Sequence, residues 1–128
     1  MNETTSAGRR LAPAIVLALL AAALGWACAA YGHDAYLDAV PRRLNHCLEA
    51  APVTVGAWAA LGAAPLLEIA AAACAVLLLR PTTRPGTAPT VAAALLLGTA
   101  ALLLVVTGWS LADAIGGLDH PRHTCTGM

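Results

Sequence analysis

Three long apolar stretches constrain this chain more than any other feature. They cover residues 11–31, 52–79 and 90–113, and each reaches the ~20 residues that a helix needs to cross a ~30 Å hydrocarbon core. Only 11% of the residues are charged, so too little polar chain remains to cover three such helices in water. The sequence therefore predicts an all-α integral membrane protein, with three transmembrane helices in an up-down-up arrangement.

The remaining segments are short. Residues 1–10 are predicted to be a cytoplasmic tail, residues 80–89 a proline-rich cytoplasmic loop and residues 114–128 an outer tail. The first span is expected to end at Tyr31 and Gly32, where an interfacial aromatic residue and a helix-stopping glycine coincide.

Residues 32–51 form a predicted outer amphipathic loop. Leu37, Val40 and Leu44 recur there at three- and four-residue steps between polar residues, a pattern typical of an amphipathic helix. Pro41 fits near the start of such a helix. The segment is expected either to lie in the outer headgroup plane or to extend the second span as a helix.

Arginine supplies all seven cations of the chain. Four of them lie on one side of the predicted membrane: Arg9, Arg10, Arg80 and Arg84. The other three lie on the opposite side: Arg42, Arg43 and Arg122. The positive-inside rule then predicts a multi-pass plasma-membrane protein with a cytoplasmic N-terminus and an extracytoplasmic C-terminus. The alanine-rich, lysine-free spans are typical of a GC-rich bacterial genome. Trp26, Trp58 and Trp109 would all lie at the outer interface.

The first span could alternatively be a cleaved signal peptide. Two arginines precede its apolar run, and Ala27-Cys28-Ala29 resembles a small-x-small cleavage site. The apolar run of about 20 residues exceeds the 7–15 residues of a signal core. An uncleaved membrane span is therefore favoured.

Glu68 is the ionisable residue placed deepest in the predicted bilayer. A bare charge there costs several kcal/mol. The residues three and four positions away are mostly small, so Glu68 is predicted to point into a helix contact rather than at lipid. Thr99 lies at a similar predicted depth, and a Glu68–Thr99 hydrogen bond is expected. A row of small residues at Ala21, Gly25 and Ala29, and another at Gly56, Ala60 and Ala64, also suggest helix contacts.

A second set of polar residues lies outside the predicted spans. It comprises four histidines and two cysteines: His33, His46, His120, His123, Cys47 and Cys125. Imidazole and thiolate groups are ligands of zinc or copper, so the four histidines are candidate metal ligands. A Cys47–Cys125 disulfide is the favoured alternative to a thiolate metal site, because the outside of a cell is oxidising.

These features predict partners and function only in outline. The partners are the lipid bilayer and either further copies of the chain or a larger membrane complex; the scattered arginines form no patch for nucleic acid. The leading hypothesis is a non-enzymatic accessory or structural subunit that acts through helix contacts. The first alternative is a proton-coupled small transporter or channel that uses Glu68. The second is an extracytoplasmic metal-binding or thiol-redox protein.

Overall fold

The fold consists of three long α-helices. The computed structural model describes residues 3–46, 53–80 and 87–117, which form α1 (Glu3–His46), α2 (Val55–Leu79) and α3 (Thr87–Gly116). No strand occurs among these residues. Each helix is long and apolar enough to cross a membrane. The structure thus confirms the predicted three-helix membrane protein.

The contacts between helices establish their directions. Gly25 of α1 lies opposite Ala64 and Glu68 of α2, whereas Gly32 lies opposite Ala57 and Leu61. The residue numbers rise along α1 as they fall along α2, so these two helices are antiparallel.

Two buried clusters place the third helix. One joins Ala22, Ala71 and Ala100, and the other joins Tyr36, Leu61 and Ala114. Helix α3 therefore runs parallel to α1 and antiparallel to α2, which is the predicted up-down-up order. Following the topology predicted from the sequence, we call the end that contains Leu79 the inner end and the end that contains Tyr36 the outer end.

A seam of small residues holds the bundle together. The buried positions recur at alternating steps of three and four residues in α1 and α2 and at steps of seven in α3. In α1 they are Ala18, Ala22, Gly25, Ala29, Gly32, Tyr36 and Ala39. In α2 they are Ala57, Leu61, Ala64, Glu68, Ala71 and Ala75, and in α3 they are Ala93, Ala100, Thr107 and Ala114. This repeat keeps one face of a helix against its neighbours. Small side chains let the backbones approach closely, which replaces the hydrophobic driving force that lipid removes.

The two predicted small-residue rows fare differently. Gly25 and Ala29 are buried and Ala21 is half-buried, so the first row does face a neighbouring helix. In the second row Gly56 is exposed and only Ala64 is buried.

Helix α1 is longer than its sequence suggests. It continues through Tyr31 and Gly32 to His46, so the segment predicted as an outer loop begins as an extension of the first helix and not of the second. Gly32 does not stop the helix; it allows close approach to α2, because a Cβ there would lie 2.9 Å from the Ala57 carbonyl oxygen. Pro41 lies inside α1 rather than at the start of a separate helix.

This extension also corrects the depth of the tryptophans. Ala57 lies opposite Gly32, so Trp58 is nearly level with Gly32, six residues or about 9 Å further along α1 than Trp26. Trp26 is instead nearly level with Glu68, because Gly25 contacts that side chain. The three tryptophans therefore do not form a single belt.

The two ends of the bundle differ in how closely α1 and α3 meet. At the outer end, Tyr36 packs beneath Gly117, and Arg43 Nη1 donates a hydrogen bond to the Gly117 carbonyl oxygen. At the inner end, an open apolar groove of about 340 Å³ lies between the two helices beside the Ala22, Ala71 and Ala100 cluster. Its lining includes Ala18, Ala22, Ala71, Ala92, Thr99 and Ala100.

Candidate functional site at Glu68

Glu68 lies in the middle of the bundle. It follows Leu67, the central residue of the 25-residue helix α2. Helix α2 is about 37 Å long at 1.5 Å per residue, so both of its ends lie more than 15 Å from Glu68. In a bilayer centred on the bundle, this carboxyl group sits deep in the hydrocarbon.

The side chain of Glu68 is fully enclosed by protein, with 0% of its surface exposed. It points at α1, where a Cβ added to Gly25 would lie only 2.6 Å from Glu68 Oε1. The space for the carboxyl group therefore exists because residue 25 has no side chain. The helix contact expected for Glu68 is present, and one chain supplies it without a second subunit.

The carboxyl group has no hydrogen-bond partner among the described residues. Neither Oε1 nor Oε2 of Glu68 is bonded, so the predicted Glu68–Thr99 hydrogen bond does not form. Thr99 is exposed and lines the inner groove. Its neighbour Ala100 packs against Ala71, so Thr99 lies about one helical turn nearer the inner end than Glu68. Thr99 is also on a different face of α3 from Ala100, which faces α2.

A different threonine is the buried polar residue of α3. Thr107 is 0% exposed, and its hydroxyl donates to the Leu104 carbonyl oxygen in the preceding turn of its own helix. This local bond uses the hydroxyl proton, and no hydrogen bond joins Thr107 to Glu68. Sequence reasoning missed Thr107, although its seven-residue spacing from Ala100 and Ala114 marks the same face.

The arrangement can bind and release a proton but offers no route for passing it to a second acid. No other acidic or basic residue is fully buried among those whose side chains the structure describes, although Nδ1 of the partly buried His33 is enclosed. The nearest along α1 is His33, eight residues beyond Gly25 and thus about 12 Å away. A neutral carboxyl fits this surrounding, whereas a carboxylate would be a buried charge with no compensating group.

The predicted outer metal or disulfide site falls largely outside the described part of the chain. Cys47, His120, His123 and Cys125 lie beyond it, as does the side chain of His46. His33 is described: its Nδ1 is buried and unbonded, and its ring centroid lies 6.3 Å from that of Tyr36. Within the described ranges no three metal-ligating residues cluster.

The two remaining cysteines lie within the helices. Cys28 of α1 and Cys74 of α2 are free and partly buried. Cysteine in such a position commonly packs as a small apolar side chain.

Comparison with known proteins gives no further guide to the site. No protein family, curated protein or solved structure matches this chain.

Proposed function

We propose that this chain is a non-enzymatic accessory subunit of a larger membrane complex and acts through contacts between transmembrane helices. It would be a multi-pass protein of a bacterial plasma membrane, with the N-terminus in the cytoplasm and the C-terminus outside. The observation that supports this most directly is the groove between α1 and α3, which the side chains of the described residues leave unfilled.

The groove has the character of a helix-docking surface. Alanines from all three helices line it beside four larger aliphatic side chains, and Thr99 supplies a hydroxyl on its α3 wall. Small residues and an occasional hydroxyl are what transmembrane helices present where another helix packs. We therefore take its occupant to be a transmembrane helix of another protein.

Photocrosslinking in intact membranes tests this assignment. Leu95 lines the groove and is 67% exposed, and Val105 on the same helix is 70% exposed but does not line it. A photoreactive amino acid at position 95 should give one discrete adduct with a membrane protein that also co-purifies in stoichiometric amount. The same group at position 105 should give lipid adducts.

Two other results would contradict the proposal. Adducts to lipid alone at position 95 would show that the bilayer fills the groove. An adduct of twice the chain mass at position 95 would show that a second copy of this chain occupies it.

The second candidate is a proton-coupled small transporter or channel that uses Glu68. The unbonded carboxyl group in mid-bundle favours it, since ionisable residues inside membranes are commonly functional. Assembly of several copies around Glu68 would need the carboxyl to reach the surface of the chain. Its complete burial between α1 and α2 makes the accessory role the better supported proposal.

The third candidate, an extracytoplasmic metal-binding or thiol-redox protein, stays a prediction from sequence. It would bind zinc or copper through His33, His46, His120 and His123, or form the Cys47–Cys125 disulfide. Of these six side chains, only that of His33 lies in the described part of the chain.

A further inference from the structure

We infer that Glu68 and Gly25 form a protonation-dependent lock between α1 and α2, packed when the carboxyl is neutral and separated when it is charged. This inference does not depend on any partner. It concerns an internal contact of the chain, whereas the proposed accessory role concerns its outer surface.

The contact is built so that nothing lies between the carboxyl group and the facing helix. Residue 25 has no side chain, and a Cβ there would also lie 3.2 Å from the Ala64 carbonyl oxygen. The carboxyl group and the Ala64 carbonyl oxygen thus both border the space beside Gly25. A carbonyl oxygen can accept a hydrogen bond from a neutral acid, but it cannot neutralise a carboxylate.

The surroundings supply no counter-charge from any of the three helices. On α1 the closest described histidine or charged residue is His33, with the Tyr31 phenol exposed between it and Gly25, and on α3 it is Asp113 near the outer end. Helix α2 has no second acidic or basic residue between Val55 and Leu79. Other acid-base groups near this level are the thiols of Cys28 and Cys74, which are partly buried.

Loss of the proton therefore leaves one way to hydrate the charge, which is to part α1 from α2. A buried unpaired charge is far more costly than a buried neutral polar group. The buried positions next to Glu68 include Gly25, Ala64 and Ala71, and separating such small residues exposes little side-chain surface. The helices should move apart near Gly25 once the carboxyl ionises.

Pulsed electron spin resonance on the full chain in nanodiscs tests this. All four cysteines are replaced by alanine, and spin labels are placed on the lipid-facing residues Leu24 of α1 and Ile69 of α2. From acidic to strongly alkaline pH, the single short distance should give way to a longer one. While the separated form is still the minor one, its population should rise about tenfold per pH unit.

Two variants make the outcome decisive. Glu68→Gln keeps the shape without the charge and should hold the short distance at every pH. Gly62→Leu adds bulk where a Cβ meets nothing within 4 Å, and it should respond to pH like the parent. A distance that ignores pH in the parent chain, or that lengthens equally in Glu68→Gln, overturns the lock.

Infrared spectroscopy of the same samples reports the protonation state of Glu68 directly, which a change in packing alone would not alter. The carbonyl stretch of a protonated carboxyl group should disappear over the pH range in which the distance lengthens, and Glu68→Gln should lack it. Loss of this band without any change in distance would also overturn the lock.

Discussion

At the scale of single residues, two glycines determine how closely α1 and α2 approach. Gly25 makes room for the Glu68 carboxyl, and Gly32 makes room for Leu61 and the Ala57 carbonyl. They are seven residues apart and so lie on the same face of α1. Close packing at these points explains why an acid can be enclosed by only three helices.

Replacing these glycines by alanine should give a graded loss of stability. Gly32→Ala should cost about 1–3 kcal/mol by overpacking, because its Cβ would lie 2.5 Å from Leu61 Cγ and 2.9 Å from a backbone oxygen. Gly25→Ala should cost less, since its nearest atom is the movable end of Glu68. Unfolding by denaturing detergent, followed by circular dichroism, measures the differences.

Gly62→Ala is the matched control for this series. A Cβ at Gly62 meets nothing within 4 Å, and alanine favours a helix over glycine by up to about 1 kcal/mol. This variant should be as stable as the parent or more so. A Gly32→Ala protein as stable as Gly62→Ala would contradict the close contact.

From the sequence one can predict that the Glu68 side chain points into a helix contact, but not which residues surround it. The small residues at three- and four-residue steps from Glu68 indicate the buried face correctly. Counting depth from the ends of the spans placed Thr99 beside Glu68, yet depth does not determine which face of α3 a residue occupies. The seven-residue repeat of Ala93, Ala100, Thr107 and Ala114 carries that information.

At the scale of helices, the outer part of α1 is the element that differs most from expectation. A glycine after an aromatic residue commonly ends a helix, but Gly32 lies where α2 approaches and so serves packing instead. Tyr36 and Ala39 continue the buried face beyond it. Arg43 then joins this extension to the end of α3.

Replacing Arg43 by alanine should loosen the end of α3. The bond from Arg43 Nη1 to the Gly117 carbonyl oxygen is partly buried, and its loss should cost about 1 kcal/mol. The Gly117 amide, which donates to the Asp113 carbonyl oxygen at 2.9 Å, should then exchange its hydrogen about fivefold faster. Hydrogen-exchange mass spectrometry of the peptide that contains Gly117 measures this.

Arg42→Ala serves as the control for this helix contact. Arg42 Nε donates to the Asp38 carbonyl oxygen within α1 and is exposed, so its removal should leave exchange in α3 unchanged. Equal acceleration in both variants would show that charge, and not the bond to Gly117, protects the end of α3.

At the scale of the whole molecule, the bilayer makes the architecture predictable. In hydrocarbon, a single segment can satisfy all of its backbone hydrogen bonds only as a helix. Three apolar stretches of this length therefore form three transmembrane helices. The groove between α1 and α3 could not be foreseen. It depends on how far the helices diverge, which is decided by side-chain volumes on several helices together.

Three crossings with the proposed cytoplasmic N-terminus would place the two termini on opposite sides of the membrane. A protease-cleavable tag at the N-terminus should be protected in intact spheroplasts, and the same tag at the C-terminus should be cut. Permeabilised cells, in which both tags should be cut, are the control. Protection of both tags in intact spheroplasts would contradict three crossings.

The outer attachment of α1 to α3 has a mechanical consequence. Tyr36, Arg43 and Gly117 fasten the two helices at one end, whereas an apolar groove lies between the described parts of α1 and α3 towards the other. Small rotations about that fastened end produce their largest displacement at the opposite membrane surface. Tension applied to α1 near Pro13 would therefore change the width of the groove between α1 and α3 most effectively, because the two helices would rotate about the fastened end.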